Sequence, residues 1–269
     1  MNRTGLGLLL GAMVFASPVV AQTNAPAQAS AATVAHPDFT GFWSLERDQH
    51  PFDEEMIAKL PPNTVVLDDT GFVEFPQGEF GGLKLKPEAA AVAAKWKPED
   101  EMTLARVCAA PSVVYSIQGP FPFEIYQTPE LIVFKYEYFD QVRLIFMDGR
   151  SHPPADAPHT KVGHSVGHWE GGELVVETTH LAPATITNNG LDHSSEIRVI
   201  ERYKLSEDGK RLKATQWFED PQNLENNGAR YIQWELKPGN YVYPYDCDPT
   251  FALEYASASE GDDGAQAAP

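Results

Sequence analysis

From residue 112 onward the chain alternates apolar and polar residues in runs of six to twelve, with short turns between them. A period of two is the signature of strands with one buried face. The candidate strands are 112–117, 122–128, 131–138, 142–147, 163–169, 173–180, 194–205, 211–219, 229–236 and 240–246. Turn signals such as Phe139-Asp-Gln141, Gly171-Gly172 and Glu207-Asp-Gly209 separate them. Many short strands joined locally make an antiparallel meander, which closes as a barrel or folds as a sandwich. The expected fold is all-β, a lipocalin-like barrel with one short helix before it. That helix runs from Pro87 to Trp96, with Pro87 in its first turn and Pro98 ending it.

The ends of the chain read differently. Residues 1–21 match a secretory signal: Arg3, an apolar run from Leu8 to Val20, and small residues up to Ala21. Residues 22–36 read as a linker and 256–269 as a disordered tail, leaving a single β domain over 37–255. The expected location is the periplasm or the medium, after cleavage near Ala21. The formal charge of −18 argues against nucleic acid and against stable association with an anionic membrane. Nothing in the sequence fixes the oligomeric state. Cys108 and Cys247 are the two cysteines, and export makes a disulfide between them the expected state. A loop that long corresponds to roughly 4–5 kcal/mol in the chain-entropy model.

Two hairpins can be put in register. With Phe139 to Gln141 as a three-residue loop, Tyr138 pairs with Val142 and Glu137 with Arg143. Ile132, Phe134, Tyr136, Tyr138, Val142, Leu144 and Phe146 then share a face that lines a core or a ligand cavity. Glu137 and Arg143 form an ion pair on the outside. Further inward candidates are Tyr126, Trp217, Tyr231 and Trp234. The second hairpin turns at Gly171-Gly172, pairing His168 with Val175 and Val166 with Glu177. His164, Val166, His168, Val175, Glu177 and Thr179 then share one face. Glu177 lies diagonally from His164 and His168, as a pair tuned for proton transfer or as a solvated face.

Residues 159–202 hold five of the eight histidines. His164 and His168 share a face but lie roughly 13 Å apart along a strand, which argues against one metal ion holding both. Gly163-His-Ser-Val-Gly167 matches the hydrolase elbow in letters, but it enters a hairpin rather than a strand–turn–helix. No cofactor fingerprint is present, so neither metal nor cofactor is expected. Asp148-Gly-Arg-Ser-His-Pro153 is a turn that sets Arg150 and His152 either as loop ties or at a cavity mouth. Further on, Ile197, Val199, Glu201 and Tyr203 share an inward face. An inward Glu201 needs either a core-facing arginine or a raised pKa.

These segments resemble a family of exported β-rich proteins of proteobacteria and acidobacteria. The likeness covers nearly the whole chain after the leader. It rests on Phe39-Thr-Gly-Phe-Trp43, Leu85-Lys-Pro-Glu88, Cys108 with Pro111, and Pro122-Phe-Glu-Ile-Tyr-Gln-Thr128. It rests further on Met147-Asp-Gly-Arg150 with His152-Pro153, Gly163-His-Ser-Val-Gly167 with Trp169-Glu-Gly171, and His193-Ser194 with Val199-Ile-Glu-Arg-Tyr203. The family pattern has aspartate, threonine and aspartate at positions 172, 173 and 177, where this chain has Gly172, Glu173 and Glu177. His168 also departs from it. The resemblance implies no activity.

The function expected is acid/base chemistry without a cofactor, as a lyase, hydratase or isomerase acting on a small apolar or aromatic molecule. His164 and Glu201 are the expected acid and base, with Glu177 beside them and Arg150 or Arg202 steadying a developing anion. Phe134, Tyr136, Trp169, His193, His152 and Arg202 are the expected substrate contacts. The alternative is a binding protein of the same fold that does no chemistry.

Overall fold

The computed structural model describes residues 36–45, 51–68 and 75–256. The expected leader, linker and tail lie outside these residues, except for His36 and Ala256 at their edges. Twelve strands form the framework: β1 Gly41–Leu45, β2 Thr64–Val66, β3 Phe123–Gln127, β4 Leu131–Tyr136, β5 Val142–Phe146, β6 His164–Glu170, β7 Glu173–Thr179, β8 Ala184–Thr187, β9 Leu191–His193, β10 Arg198–Leu205, β11 Arg211–Glu219 and β12 Asn227–Leu236. The helices are short: α1 Glu54–Ile57, α2 Pro87–Ala93 and α3 Val113–Ser116, with a further helical stretch over 251–256. α2 is the expected helix, with proline in its first turn.

Nine strands close on themselves in the order β1-β3-β4-β5-β6-β7-β10-β11-β12, with β12 returning to β1. The expected closed, mostly antiparallel barrel is therefore present. β5 and β6 are parallel neighbours joined by a long connection. β12 is long enough to serve two strands on one edge, pairing with β2 near Asn227 and with β1 near Leu236. Three elements depart from the expected pattern. The 112–117 run forms α3, because Ser112 caps a helical turn by accepting from the Val114 amide at 3.3 Å. Residues 194–197 form no strand, and 240–246 make an extended arm without strand pairing.

The barrel interior is packed. Trp43, Phe123, Ile125, Phe134, Tyr136, Leu174, Val176, Tyr203 and Trp234 fill it, all essentially excluded from solvent. A ligand cavity among Phe134 and Tyr136 was the expectation; their rings instead pack on each other and on Phe123 and Tyr203. A second apolar cluster, with Val114, Leu181, Ile186, Val199 and Phe218, lies partly under α3 and the β8–β9 hairpin.

Within this core stands one ion pair, Arg143 with Glu201, both almost fully buried. Arg143 also donates to Ser165 Oγ at 3.0 Å and to Thr178 Oγ1 at 2.7 Å. Glu201 Oε1 accepts from Tyr203 Oη and from Gln216 Nε2, each at 3.1 Å. Burial works against the Arg143 cation, but the facing Glu201 carboxylate, together with Tyr203 and Tyr136, more than offsets it and raises the arginine pKa. Burial holds the Tyr136 hydroxyl up at about 12 and raises Tyr203 well above its ordinary value. The phenols therefore stay neutral, and Tyr203 donates to Glu201.

The position of Arg143 corrects the expected first hairpin. Four residues, Glu137 to Asp140, join the strands, closed by Tyr136 N–H to Gln141 O at 2.8 Å. Lys135 therefore faces Val142, and Phe134 faces Arg143. An odd shift in register moves every side chain of β5 to the other face. Arg143 and Ile145 point inward, while Val142, Leu144 and Phe146 point outward. The expected outside pair of Glu137 with Arg143 does not form. Tyr126 is on the outer wall, half exposed. Trp217 and Tyr231 are also on the outside, buried there beneath the 51–64 segment through Thr64 and Phe52.

Removing one member of a buried pair strands the other charge, at a cost of about 3–5 kcal/mol. Glu201→Leu should lose that much in chemical denaturation. The double variant Arg143→Met/Glu201→Leu should recover most of it. A double variant as unstable as the single would show that the charges are not confined together.

Candidate functional site

Outside the barrel, four of the expected site residues converge. His152, His164, Glu177 and Arg150 lie on or beside the outer wall of β5, β6 and β7. The hairpin register is the expected one, with His164 opposite Thr179 and Val166 opposite Glu177. Several local devices assemble the patch. Gly163 has φ +62°, and a Cβ there would lie 2.5 Å from the Thr179 carbonyl oxygen, so only glycine lets β6 start this close to β7. Asp148 accepts from the Arg150 amide at 3.2 Å and fixes the turn before His152. His180 ends β7 at φ +58°, a left-handed conformation that turns its ring back toward Thr179.

The hydrogen bonds run in one chain. His180 Nε2 faces the Pro154 carbonyl at 2.9 Å. A carbonyl can only accept, so Nε2 carries the proton and a neutral His180 has a bare Nδ1. That nitrogen accepts from Thr179 Oγ1 at 2.8 Å. The threonine oxygen, its one proton spent, accepts from His152 Nδ1 at 3.1 Å. The same Nδ1–H faces His164 Nδ1 at 3.1 Å, so His164 accepts there and carries its proton on Nε2. One backbone carbonyl thus sets the tautomers of three imidazoles.

His152 Nε2 is then bare. It is buried without a hydrogen-bond partner among the described residues, with Glu177 Oε2 at 3.9 Å. Glu177 is held in turn by Arg198 Nε at 2.6 Å. Partial burial lowers the pKa of His152, which Glu177 only partly offsets, and partial burial together with the neighbouring His152 lowers that of His164. The His152 and His164 rings therefore rest neutral near neutral pH, beside the Glu177 carboxylate. Phe146 stacks beside His164 with ring centres 5.2 Å apart. The Arg150 guanidinium lies 3.8 Å over the Phe146 ring and pairs with Asp148.

The remaining expected residues lie elsewhere. Glu201 points into the barrel and His164 out of it, so the two do not share a cavity. The core-facing arginine settles the Glu201 alternative as an ion pair. Trp169 stacks on His36 at 4.7 Å and packs against Phe39. Arg202 is on the outer wall, bonded to Glu170 at 2.7 Å and Glu173 at 3.3 Å. His168 pairs with Glu170 at 3.0 Å and takes no part in the patch. His193 is buried, with Nε2 2.7 Å from Ser112 Oγ and Nδ1 2.8 Å from Ser194 O. That arrangement resembles a nucleophile pair, but both groups are sealed from substrate. The Cys108–Cys247 disulfide is present, with Cα atoms 5.8 Å apart.

Sequence reasoning missed Thr179 and His180 as members of the site. The signal was available in part, because the Gly171-Gly172 register already sets Thr179 opposite His164. Among the described residues, no group of three or more His, Cys, Asp or Glu is placed to hold a metal ion. No described helix is long and apolar enough to cross a membrane. No protein-family model matches the chain, and no curated protein sequence matches it.

His152, His164 and His193 all have pKa values below the ordinary 6.5, each chiefly through burial. The unfolded chain therefore takes up protons that the folded chain refuses. Stability should be complete above the ordinary histidine pKa and fall as pH drops through the lowered values. A thermal melt between pH 7.5 and 5.5, roughly the histidine range, should show this loss. His193→Gln should flatten the slope. A melting temperature flat over that range in the native protein would contradict the buried neutral rings.

Proposed function

We propose that this protein is an exported enzyme that moves protons on a small apolar or aromatic molecule at the outer-wall histidine patch, without a cofactor. The observation carrying this reading is the unpartnered His152 Nε2 beside Glu177, at one end of a chain whose other end is His164. Two proton arrangements compete there. In the resting one, His152 Nδ1–H satisfies Thr179 and leaves His152 Nε2 bare. In the other, His152 holds its proton on Nε2, toward the Glu177 carboxylate, and His164 donates from Nδ1 to His152 Nδ1. His164 Nε2 is then bare and free to act as a base.

A substrate C–H or O–H proton passes to His164 Nε2, and the His164 Nδ1 proton passes to His152 Nδ1. His152 becomes an imidazolium facing Glu177, and the substrate carries the new negative charge. Return of the proton to another atom completes an isomerisation; in an elimination the leaving group departs with the bond's electron pair and takes up the stored proton, which restores the neutral imidazoles. Arg150, paired with Asp148 over the Phe146 ring, would steady the developing anion, a role worth several kcal/mol when well aimed. Phe146 and the outward Leu144, itself 42% exposed, supply apolar surface beside the imidazole. Export is supported by the disulfide, which persists in oxidising compartments.

The test is exchange of substrate protons in D2O, followed by NMR over a panel of small aromatic and aliphatic carbonyl compounds. At least one should exchange faster than in buffer. His164→Ala and His152→Ala should each slow that exchange by roughly 100-fold while the fold persists, the usual size of a lost acid/base group. The rate should fall as pH drops through the lowered histidine pKa values, because protonation removes the base. Enhanced exchange that survives both substitutions would place the chemistry elsewhere. Binding without any exchange would make the protein a carrier.

A further inference from the structure

A groove of about 580 Å³ runs beside the disulfide, away from the residues of the histidine patch. Rings of Tyr115, Tyr138, Phe139, Tyr245 and Phe251 line it, with Cys247 in one wall. The rings stand at different angles. Tyr138 meets Phe139 at 68° and Tyr245 at 89°, with centres 4.6 and 5.7 Å apart. Phe139 and Tyr245 lie 4.7 Å apart at 35°.

The groove is held open against local preference. Phe139 and Asp140 are consecutive left-handed residues, at φ +56° and +53°. A bulky ring rarely takes that conformation, and such strain concentrates at ligand clamps. Asp140 secures it by accepting from the Tyr245 amide at 3.0 Å and the Asp246 amide at 3.4 Å. The disulfide ties the same arm to Cys108.

The charges decide the occupant. Three charged residues line the groove: Glu101, Arg106 and Asp248. Arg106 is spent on Glu101 through two bonds, at 3.0 and 2.9 Å. Among the described residues Asp248 has no ion-pair partner, and its carboxylate is oriented by the Thr250 amide and hydroxyl at 2.9 and 2.8 Å. The faces of the rings are themselves negative. The chain as a whole carries −18 and steers cations toward itself. An aromatic anion would meet repulsion from each of these.

We propose that this groove binds small organic cations, an ammonium group carried on an apolar or aromatic body. The site is independent of the proton-transfer reading. The probe is benzyltrimethylammonium, measured by isothermal titration calorimetry on the full, oxidised chain, against benzyl alcohol and benzoate. The cation should bind at least about tenfold more tightly than the alcohol, the size of a desolvated cation–π contact. Benzoate should bind more weakly still. Asp248→Asn and Tyr245→Leu should each weaken the cation about tenfold, and Tyr243→Leu, on the same arm but outside the groove, should not. His164→Ala should leave it unchanged, which separates this site from the catalytic patch. Equal binding of all three probes, no binding of the cation, or cation binding insensitive to both groove variants would overturn the proposal.

Discussion

The buried pair of Arg143 and Glu201 is the constraint around which the barrel is organised. Two charges in an apolar interior are tolerated when they pair and most of their remaining donors and acceptors are met; of this pair, Arg143 Nη1 is left without a hydrogen-bond partner among the described residues. Here the pair recruits Ser165, Thr178, Tyr203 and Gln216 from neighbouring strands. Those contacts draw β5, β6, β7, β10 and β11 toward one point inside the barrel. Gln216 extends the network to the Val113 carbonyl at 3.1 Å, tying the capping helix α3 to the interior. The result is a barrel that is packed where a carrier barrel would be hollow.

With the interior packed, the proposed site lies on the outer wall. On the outer wall, His152, His164, Thr179 and His180 gather at the point where β5 runs parallel to β6 and the turn after β5 folds back. Pro154 contributes its carbonyl, and that one acceptor propagates through three rings. The patch differs from a set of solvated surface histidines in two respects. Its resting proton positions follow from the hydrogen bonds around it, and one ring nitrogen is buried without a partner among the described residues, beside a carboxylate. A group in that position gains an ion pair on protonation, which is the property a proton store requires.

Much of this was legible in the sequence, and the failures have physical causes. Gly171-Gly172 makes a tight turn whose register can be counted, so His164, Val166 and Glu177 fall where expected. Glu201 reads as inward from Ile197, Val199 and Tyr203 around it, and the structure places it there. Its partner was hidden because the connection at 137–140 uses two left-handed residues that are not glycine. A loop one residue longer than expected turned β5 over and sent Arg143 from the surface to the core. A contact between positions 58 apart has no local signature in any case. The closing strand β1 and the parallel β2 are likewise set by long-range pairing. The run at 112–117 has strand-like composition, but Ser112 caps it as a helix and buries Val113 and Val114 beneath the hairpin.

The resting proton chain on the outer wall can be read directly from imidazole nitrogens. Long-range nitrogen–proton NMR of the folded protein at mildly alkaline pH should find His180 and His164 protonated on Nε2 and His152 protonated on Nδ1. His152 is the diagnostic ring, because an unconstrained imidazole in water prefers the Nε2 proton. Signals of that ordinary kind for His152, or averaging of all three rings with solvent, would contradict the account.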